Sequence, residues 1–224
     1  MPYQWLSRMN IRTIFDIGAN TGQFALKLHS LLPNATIYCF EPLKDCYTDL
    51  LVNLRNVPKC QAFRVAIGNE DGETQIYRND YTPSSSLLQM EELHKRIYPA
   101  TTCATTEDIE IKRLDTVAGQ LPICENLLIK IDVQGAEDQV LAGAEKTLAR
   151  ASVLVVETCF EPLYRGQLLF DGIYELLRPK GFVYVGSEDQ RRNPENGRVL
   201  FCDSIFCRPS VLVSPEDCQP TARK

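Results

Sequence analysis

The stretch that decides the fold is Arg12-Thr13-Ile14-Phe15-Asp16-Ile17-Gly18-Ala19-Asn20-Thr21-Gly22. Its first six residues are typical of a β-strand, and residues 23–32 follow with apolar side chains at helical spacing. Gly18 and Gly22 permit a tight turn that lets a ligand approach the backbone, and Asn20 adopts the left-handed conformation at low cost. The stretch therefore predicts a strand, a ligand-binding turn and a helix, which is the opening unit of an α/β sheet.

Outward from this stretch, short β-rich runs alternate with longer amphipathic runs. We predict strands at 12–17, 35–40, 61–67, 109–114, 127–132, 153–157, 182–185 and 199–207, and helices at 23–32, 44–56, 137–150 and 169–177. A glycine turn at 68–72 predicts a hairpin in which residues 74–77 return beside the third strand. The last two strands predict an antiparallel hairpin at one edge of a mostly parallel, doubly wound sheet.

Two regions lack this regular pattern. Residues 79–106 are rich in Pro, Ser and Thr around a short amphipathic piece, and a loop of this length inside a domain is usually functional. We interpret it as a loop or lid on the side of a second substrate. The pattern also ends near residue 208, so we expect one domain over residues 1–208 and a disordered tail over 209–224.

Length and composition restrict the class of protein. A chain of 224 residues suits one domain. A net charge of -5 and a pI near 5.2 argue against binding nucleic acid through many phosphate contacts. Nine cysteines without a Cys-x-x-Cys pair, and the lack of an apolar leader or membrane-length run, indicate a cytoplasmic protein without a membrane span.

Functional residues are expected where the parallel strands end, because ligands of open α/β sheets bind beyond the carboxyl ends of the strands. Glu41-Pro42 follows the second strand, where a carboxylate can accept hydrogen bonds from a ribose diol. Ala66 lies near the end of the third strand as a neighbour for adenine. Asp132 closes the fourth strand and Glu157 the fifth. Lone carboxylates at the ends of apolar strands indicate a site, because burying an unpaired charge is costly.

Each motif also has a purely structural explanation. A glycine turn between strand and helix occurs in many α/β folds. Glu41 would also suit a helix N-terminus, Asp132 and Asp115 are good caps, and Glu137 could simply begin its helix. Their occurrence together, in this order and at these strand ends, favours a common site.

The blocks at 16–22, 40–42, 66–68, 71–72, 85–87, 113–115 and 140–144 agree with one known pattern, and the most specific block is Leu128-Ile129-Lys130-Ile131-Asp132-Val133-Gln134-Gly135-Ala136-Glu137. Over roughly residues 11–208 the chain resembles the FkbM-type methyltransferases, a group of class I S-adenosylmethionine-dependent enzymes. One departure is Gln134, where members commonly carry Glu. We therefore predict no catalytic role for Gln134.

The resemblance implies a seven-stranded Rossmann-like methyltransferase sheet and O-methylation of a hydroxyl on a small molecule such as a sugar or natural product. It also implies S-adenosylmethionine as cofactor and S-adenosylhomocysteine as product. The residues predicted to contact the cofactor are Asp16, Gly18, Ala19, Asn20, Gly22, Glu41, Pro42, Ala66 and Asp132.

Three side chains are candidates for catalysis. Asp132 is the first candidate for a base or acceptor-orienting group, and Glu157 on the next strand is the second. Lys130, on the same strand face as Asp132, is expected to pair with one of these carboxylates. His94 lies in the 79–106 segment and is either a base or a surface histidine. With two histidines and no zinc-ligand spacing, we predict no metal site, although an oxygen-ligand metal stays open.

Two other functions are compatible with parts of the pattern. An NAD-dependent oxidoreductase also uses an acidic residue after the second strand, but the chain lacks both Gly-x-Gly-x-x-Gly and Tyr-x-x-x-Lys. A catalytically silent S-adenosylmethionine-binding protein would keep the same cofactor motifs. The sequence leaves N-methylation open, and the edge hairpin could pair with a second copy to form a homo-oligomer.

Overall fold

A seven-stranded sheet lies at the centre of the protein, as shown by a computed structural model that describes residues 3–101 and 104–212. Its strands are β1 (Thr13–Ile17), β2 (Thr36–Phe40), β3 (Cys60–Phe63), β7 (Leu127–Ile131), β8 (Ala151–Cys159), β9 (Val183–Arg192) and β10 (Val199–Cys207). They lie in the order β3-β2-β1-β7-β8-β10-β9, and only β10 runs antiparallel to its neighbours β8 and β9. The predicted mostly parallel sheet with an antiparallel edge hairpin is confirmed.

A second, three-stranded sheet corrects two predictions. It contains β4 (Ala66–Gly68), β5 (Gly72–Asn79) and β6 (Ala104–Arg113) in the order β4-β6-β5. The strand predicted at 61–67 is thus divided between the two sheets, and the predicted hairpin at 74–77 is wrong. β5 pairs with β6 instead, because Ile76, Ile109 and Ile111 share one buried cluster with the start of the second helix. The spacing of apolar residues within β5 does not reveal that its partner strand lies about 30 positions later in the chain.

Helices cover both faces of the main sheet. They are α1 (Gln23–Leu31), α2 (Lys44–Leu54), α3 (Glu92–Ile97), α4 (Leu114–Ala118), α5 (Glu137–Ala142), α6 (Glu145–Arg150) and α7 (Phe170–Leu177). Side chains of α1 and α2 pack on one face with Ile14, Leu128 and Val153. Those of α4 to α7 pack on the other with Phe15 and Ile129. Alternate residues of each central strand therefore enter opposite cores, as a doubly wound sheet requires.

The helix predicted over 137–150 is two helices, because the chain breaks at Gly143. A Cβ at Gly143 would lie 1.9 Å from a backbone carbonyl oxygen of β4, so only glycine permits this close approach. Asp115 then caps α6, since its carboxylate accepts hydrogen bonds from the amides of Lys146 and Thr147 at 3.0 and 2.8 Å. Asp115 is thus a helix cap, as predicted, but it lies in α4 and caps α6.

The segment predicted as a long loop contains short ordered elements. Its residues 82–84 form a 3₁₀ turn, α3 follows, and Met90 bridges to Tyr164 beyond β8. At the C-terminus, Pro209–Val211 form a 3₁₀ turn, and the rest of the predicted tail, residues 213–224, lies outside the described residues. Within the described ranges, no helix is long and apolar enough to cross a membrane.

Replacing Gly143 with alanine is expected to lower the free energy of unfolding by about 1–3 kcal/mol, because the added methyl group overlaps the β4 backbone. Urea unfolding measures this change. Gly119→Ala is the control, since Gly119 has a negative φ and its nearest neighbouring atom would lie 3.3 Å away. Equal stability of the two variants would show that the approach of α5 to β4 is not constrained as described.

Candidate active site

A narrow cleft lies at the carboxyl ends of β1, β2 and β7, where the chain order of the sheet reverses on either side of β1. Ligands of doubly wound sheets bind at this point, since the connections leave in opposite directions there. Six of the residues predicted to contact the cofactor line this cleft, and they are Gly18, Asn20, Glu41, Pro42, Ala66 and Asp132.

Glu41 is the fixed carboxylate of the cleft. Its two oxygens accept hydrogen bonds from the backbone amides of Asn20 and Leu43, each at 2.9 Å. The residue is 5% exposed, and burial raises its pKa to about 7 although both hydrogen bonds oppose the shift. The two hydrogen bonds therefore fix the position of Glu41. Because its pKa is about 7, a ligand that donates hydrogen bonds to Glu41 can shift it to the charged form near neutral pH.

Apolar side chains form much of the remaining wall. Ile17 and Phe40 come from the ends of β1 and β2, Ile67 from the second sheet, and Leu87 from the 79–106 segment. A cleft that combines carboxylates with apolar surface suits a nucleoside, whose ribose is polar and whose base is flat.

The glycine turn gives this cleft its shape. Gly18 has a φ of 78°, and a Cβ there would lie 1.8 Å from the backbone oxygen of Asp132. The amides of Gly18 and Ala19 both donate to the carbonyl of Phe40 at 3.0 Å. The ends of three strands are thus drawn together by backbone contacts that any side chain at Gly18 would break.

Three residues predicted to contact the cofactor lie behind the wall of the cleft instead. Asp16 is fully buried opposite Lys130 in the register of β1 and β7, and burial raises its pKa to about 6 although Lys130 opposes the shift. Ala19 is buried in the core beneath α1. Gly22, at the start of α1, packs against Leu50 of α2. These residues shape the turn, and the cleft is lined by others.

A second cavity of about 570 Å³ adjoins the cleft, and Asp132 and Gln134 line both spaces. The three predicted catalytic residues, Asp132, Glu157 and His94, all border this cavity. Much of the remaining wall comes from the 79–106 segment, which contributes Tyr81, Pro83, Ser84, Ile97, Tyr98, Pro99, Ala100 and Thr101. The segment predicted as a loop or lid on the side of a second substrate thus forms much of the wall of this cavity.

The carboxylates at the base of the cavity have different partners. The Lys130 ammonium donates to Asp132 Oδ2 at 2.8 Å, so the predicted pairing of Lys130 is with Asp132. Glu157 has no ion pair to a basic side chain of the described chain, and its Oε2 accepts a hydrogen bond from Gln134 Nε2 at 2.8 Å. Burial, with the negative charges of Asp132 and Glu137, raises the pKa of Glu157 well above its usual range. Glu157 therefore binds a proton more readily than a free glutamate does.

Gln134 is a site residue that the sequence analysis did not assign. Its amide lies between the two carboxylates, and Nε2 also donates to Asp132 Oδ1 at 2.7 Å. The only signal available in the sequence was its position directly before Gly135, after a strand that ends in Asp132. That signal marks a turn but not the contact with Glu157, which depends on the tertiary fold.

His94 forms part of the cavity wall and is not a surface histidine. It is 4% exposed, and its ring contacts those of Tyr98 and Tyr164 edge to face, with centroids 5.3 and 5.1 Å apart. Burial lowers the pKa of His94 to about 4, so the imidazole is neutral at pH 7. Its Nδ1 makes no hydrogen bond to another described residue.

No group of three or more His, Cys, Asp or Glu side chains within residues 3–101 and 104–212 is arranged to hold a metal ion. The side chains that border the cleft and the cavity include carboxylates, an amide, a neutral imidazole and phenols.

Comparison with known proteins agrees with this arrangement. The family model described as the methyltransferase FkbM domain matches residues 16–184. The 2-O-methyltransferase NoeI of Sinorhizobium fredii is 30% identical over 175 residues, which cover 73% of this chain and 70% of that protein. The 31-O-demethyl-FK506 methyltransferase FkbM of Streptomyces tacrolimicus is 28% identical over 201 residues, which cover 79% of this chain and 74% of that protein.

Among solved structures, EvdMO1 matches with a TM-score of 0.51 at 10% identity, over 93% of this chain and 40% of that one, which is a likeness of fold. The family match spans more than half of the chain, from the end of β1 to the start of β9, and includes all the residues that line the cleft. It favours the methyltransferase expectation over the oxidoreductase. The chain belongs to the FkbM family of methyltransferases.

Proposed function

We propose that the protein transfers the methyl group of S-adenosylmethionine to a hydroxyl group of a small-molecule acceptor and releases S-adenosylhomocysteine. The observation that carries this proposal is the meeting of the two binding spaces at Asp132 and Gln134. A methyl donor in the cleft and an acceptor in the cavity would meet at this border. The two relatives named above are both described as methyltransferases of oxygen positions, which supports a hydroxyl acceptor.

The cleft fits the proposed cofactor. Glu41 offers a carboxylate to the ribose hydroxyls, and Ala66, Ile67 and Leu87 offer apolar surface to the adenine ring. The absence of a side chain at Gly18 keeps the backbone open beside the ligand. When bound, S-adenosylmethionine supplies a methyl carbon that is already activated by a positively charged sulfur. The protein must then align the acceptor oxygen with that carbon.

Glu157 is proposed as the base that accepts the hydroxyl proton as the new carbon–oxygen bond forms. It borders the cavity, it has no paired cation in the described chain, and its pKa is raised. Asp132 is less suited because its charge is stabilised by the Lys130 ammonium at 2.8 Å. We assign Asp132 to orientation of the acceptor at the border of the two spaces. His94, neutral and packed between aromatic rings, is assigned to the cavity wall.

The walls of the cavity support a small, ring-containing acceptor with several hydroxyls. Tyr81, Tyr98 and Phe201 provide aromatic surface for the flat or apolar faces of a ring, as they would for a sugar. The carboxylate and amide groups at the base of the cavity can accept hydrogen bonds from hydroxyl groups of the acceptor, and the amide can also donate to them. The negative net charge of the chain gives no support to a nucleic-acid acceptor.

Glu41→Ala is expected to abolish binding of S-adenosylmethionine and S-adenosylhomocysteine in isothermal titration, because the ribose hydroxyls lose their acceptor. Glu70→Ala, which removes an exposed carboxylate in the turn before β5, is the matched control and should bind normally. Full affinity in Glu41→Ala would place the cofactor elsewhere.

The affinity for the cofactor is expected to increase with pH between about 6 and 8. The pKa of Glu41 is about 7 without ligand, and ribose hydroxyls donate more strongly to the charged carboxylate than to the neutral acid, so binding lowers this pKa and releases a proton. Affinity should rise up to about tenfold per pH unit below pH 7 and level off above it. Titrations in buffers of different ionisation enthalpy would detect the proton, and proton uptake would contradict the assignment.

Glu157→Gln is expected to lower the rate of methyl transfer by about 10²–10⁴-fold while cofactor affinity is retained, because the base is lost. In the wild type the rate should rise with pH as Glu157 loses its proton, and this rise should be absent in the variant. Single-turnover assays over a library of hydroxylated acceptors measure both effects. Glu161→Gln, in the loop that follows β8 and paired with Arg198, is the control.

Two other outcomes are informative. Undiminished transfer by Glu157→Gln would remove Glu157 from the mechanism. Cofactor binding by the wild type without transfer to any acceptor in the library would favour the catalytically silent binding protein.

A further inference from the structure

Gln134 is held in an uncommon backbone conformation. Its φ is 59°, in the left-handed region that non-glycine residues seldom occupy. The hydroxyl of Ser86, from the 79–106 segment, donates to the Gln134 carbonyl at 2.6 Å. The next residue, Gly135, also has a positive φ, and a Cβ there would lie 2.9 Å from the Cβ of Tyr164. The surrounding structure therefore maintains a conformation that the backbone alone disfavours.

Both donor hydrogens and the acceptor oxygen of the Gln134 side chain take part in hydrogen bonds. Its Nε2 donates to Asp132 Oδ1 at 2.7 Å and to Glu157 Oε2 at 2.8 Å, and its Oε1 accepts from the Tyr164 hydroxyl at 2.7 Å. Only this orientation of the amide is compatible with its neighbours, since the opposite one would place the amide oxygen between two carboxylates. Burial raises the pKa of Tyr164 well above its usual range, so the phenol remains a donor.

The position between two carboxylates has an electrostatic consequence. A bridging amide supplies one positive hydrogen to each carboxylate, which reduces their repulsion and makes charged Glu157 less costly. The other groups acting on Glu157 are of both signs. They are the ammonium of Lys130, and the carboxylates of Asp132, Glu137 and Asp203. Tyr164, His94 and Arg191 border the same cavity.

We infer that Gln134 is a positioning residue, which holds Asp132 and Glu157 in a single relative orientation and favours the charged form of Glu157, the form that takes up the proton of the acceptor hydroxyl. This inference rests on the proposed function for its effect on catalysis, but the effect on Glu157 itself is a property of the free protein. Tyr164 acts through Gln134, because its hydroxyl fixes which end of the amide faces the carboxylates.

The decisive variant is Gln134→Glu, which keeps the shape of the side chain and replaces the donor by a third carboxyl group. Glutamate labelled with ¹³C at the side-chain carboxyl allows NMR titration of the free protein, with the Glu157 signal assigned from Glu157→Gln. We expect the titration midpoint of Glu157 to rise by about 1–3 pH units in Gln134→Glu. Gln120→Glu, which adds the same charge at an exposed position, should leave the midpoint unchanged.

In single-turnover assays the same variant should transfer methyl groups more than tenfold more slowly at pH 7. The rate should recover as the pH is raised, because the rising limb of the profile moves with Glu157. Tyr164→Phe is a milder change, because it removes only the hydroxyl that holds the Gln134 amide. It should shift the rising limb of the rate–pH profile in the same direction, by a smaller amount. Thermal melting and titration with S-adenosylhomocysteine establish that each variant is folded.

An unchanged Glu157 midpoint in folded Gln134→Glu would overturn the inference, whether or not an acceptor has been found. A raised midpoint in a protein that transfers no methyl group would support the role of Gln134 and count against the proposed function. If Gln134→Glu does not fold, the midpoint in Tyr164→Phe decides, and no change there would overturn the inference.

Discussion

The buried ammonium of Lys130 is the interaction on which the site depends. It is 5% exposed, donates to Asp132 at 2.8 Å and lies 5.1 Å from the centre of the Phe24 ring. Its positive charge also lowers the pKa of Asp16, Asp203 and Glu157, which burial raises. One cation thus stabilises carboxylates from β1, β7, β8 and β10. It bonds to only one of them, Asp132, whereas Glu157 has no ion pair to a basic side chain of the described chain and burial raises its pKa.

The topology of the sheet brings these groups together. Strands β2 and β7 flank β1, so their carboxyl ends border one cleft, and β8 places Glu157 beside β7 at the base of the adjoining cavity. The small sheet supplies Ala66 and Ile67 to the cleft, while the segment between β5 and β6 supplies much of the cavity wall. The rigid strands thus hold the polar groups, and the more irregular chain shapes the adjoining cavity.

The sequence predicts the features that depend on local pattern. Apolar runs with carboxylates at their ends located β1, β2, β7 and β8, and with them Glu41, Asp132 and Glu157. Asp16 is not among the residues that line the cleft, because strand alternation puts it on the same face of β1 as Ile14, which packs in the core beneath α1. Other features depend on contacts distant in the chain: the pairing of β5 with β6, the helix break at Gly143, and the contact of Gln134 with Glu157, 23 positions away. No local pattern specifies those partners.

The proposed function requires the cleft and the cavity to hold the two substrates on either side of Asp132. A crystal structure of the protein with S-adenosylhomocysteine would show whether they do. We expect the ribose hydroxyls within hydrogen-bond distance of Glu41, the adenine between Ala66, Ile67 and Leu87, and the sulfur facing the border formed by Asp132 and Gln134. S-adenosylhomocysteine bound in another place, or with its ribose away from Glu41 and its sulfur away from the cavity, would contradict it.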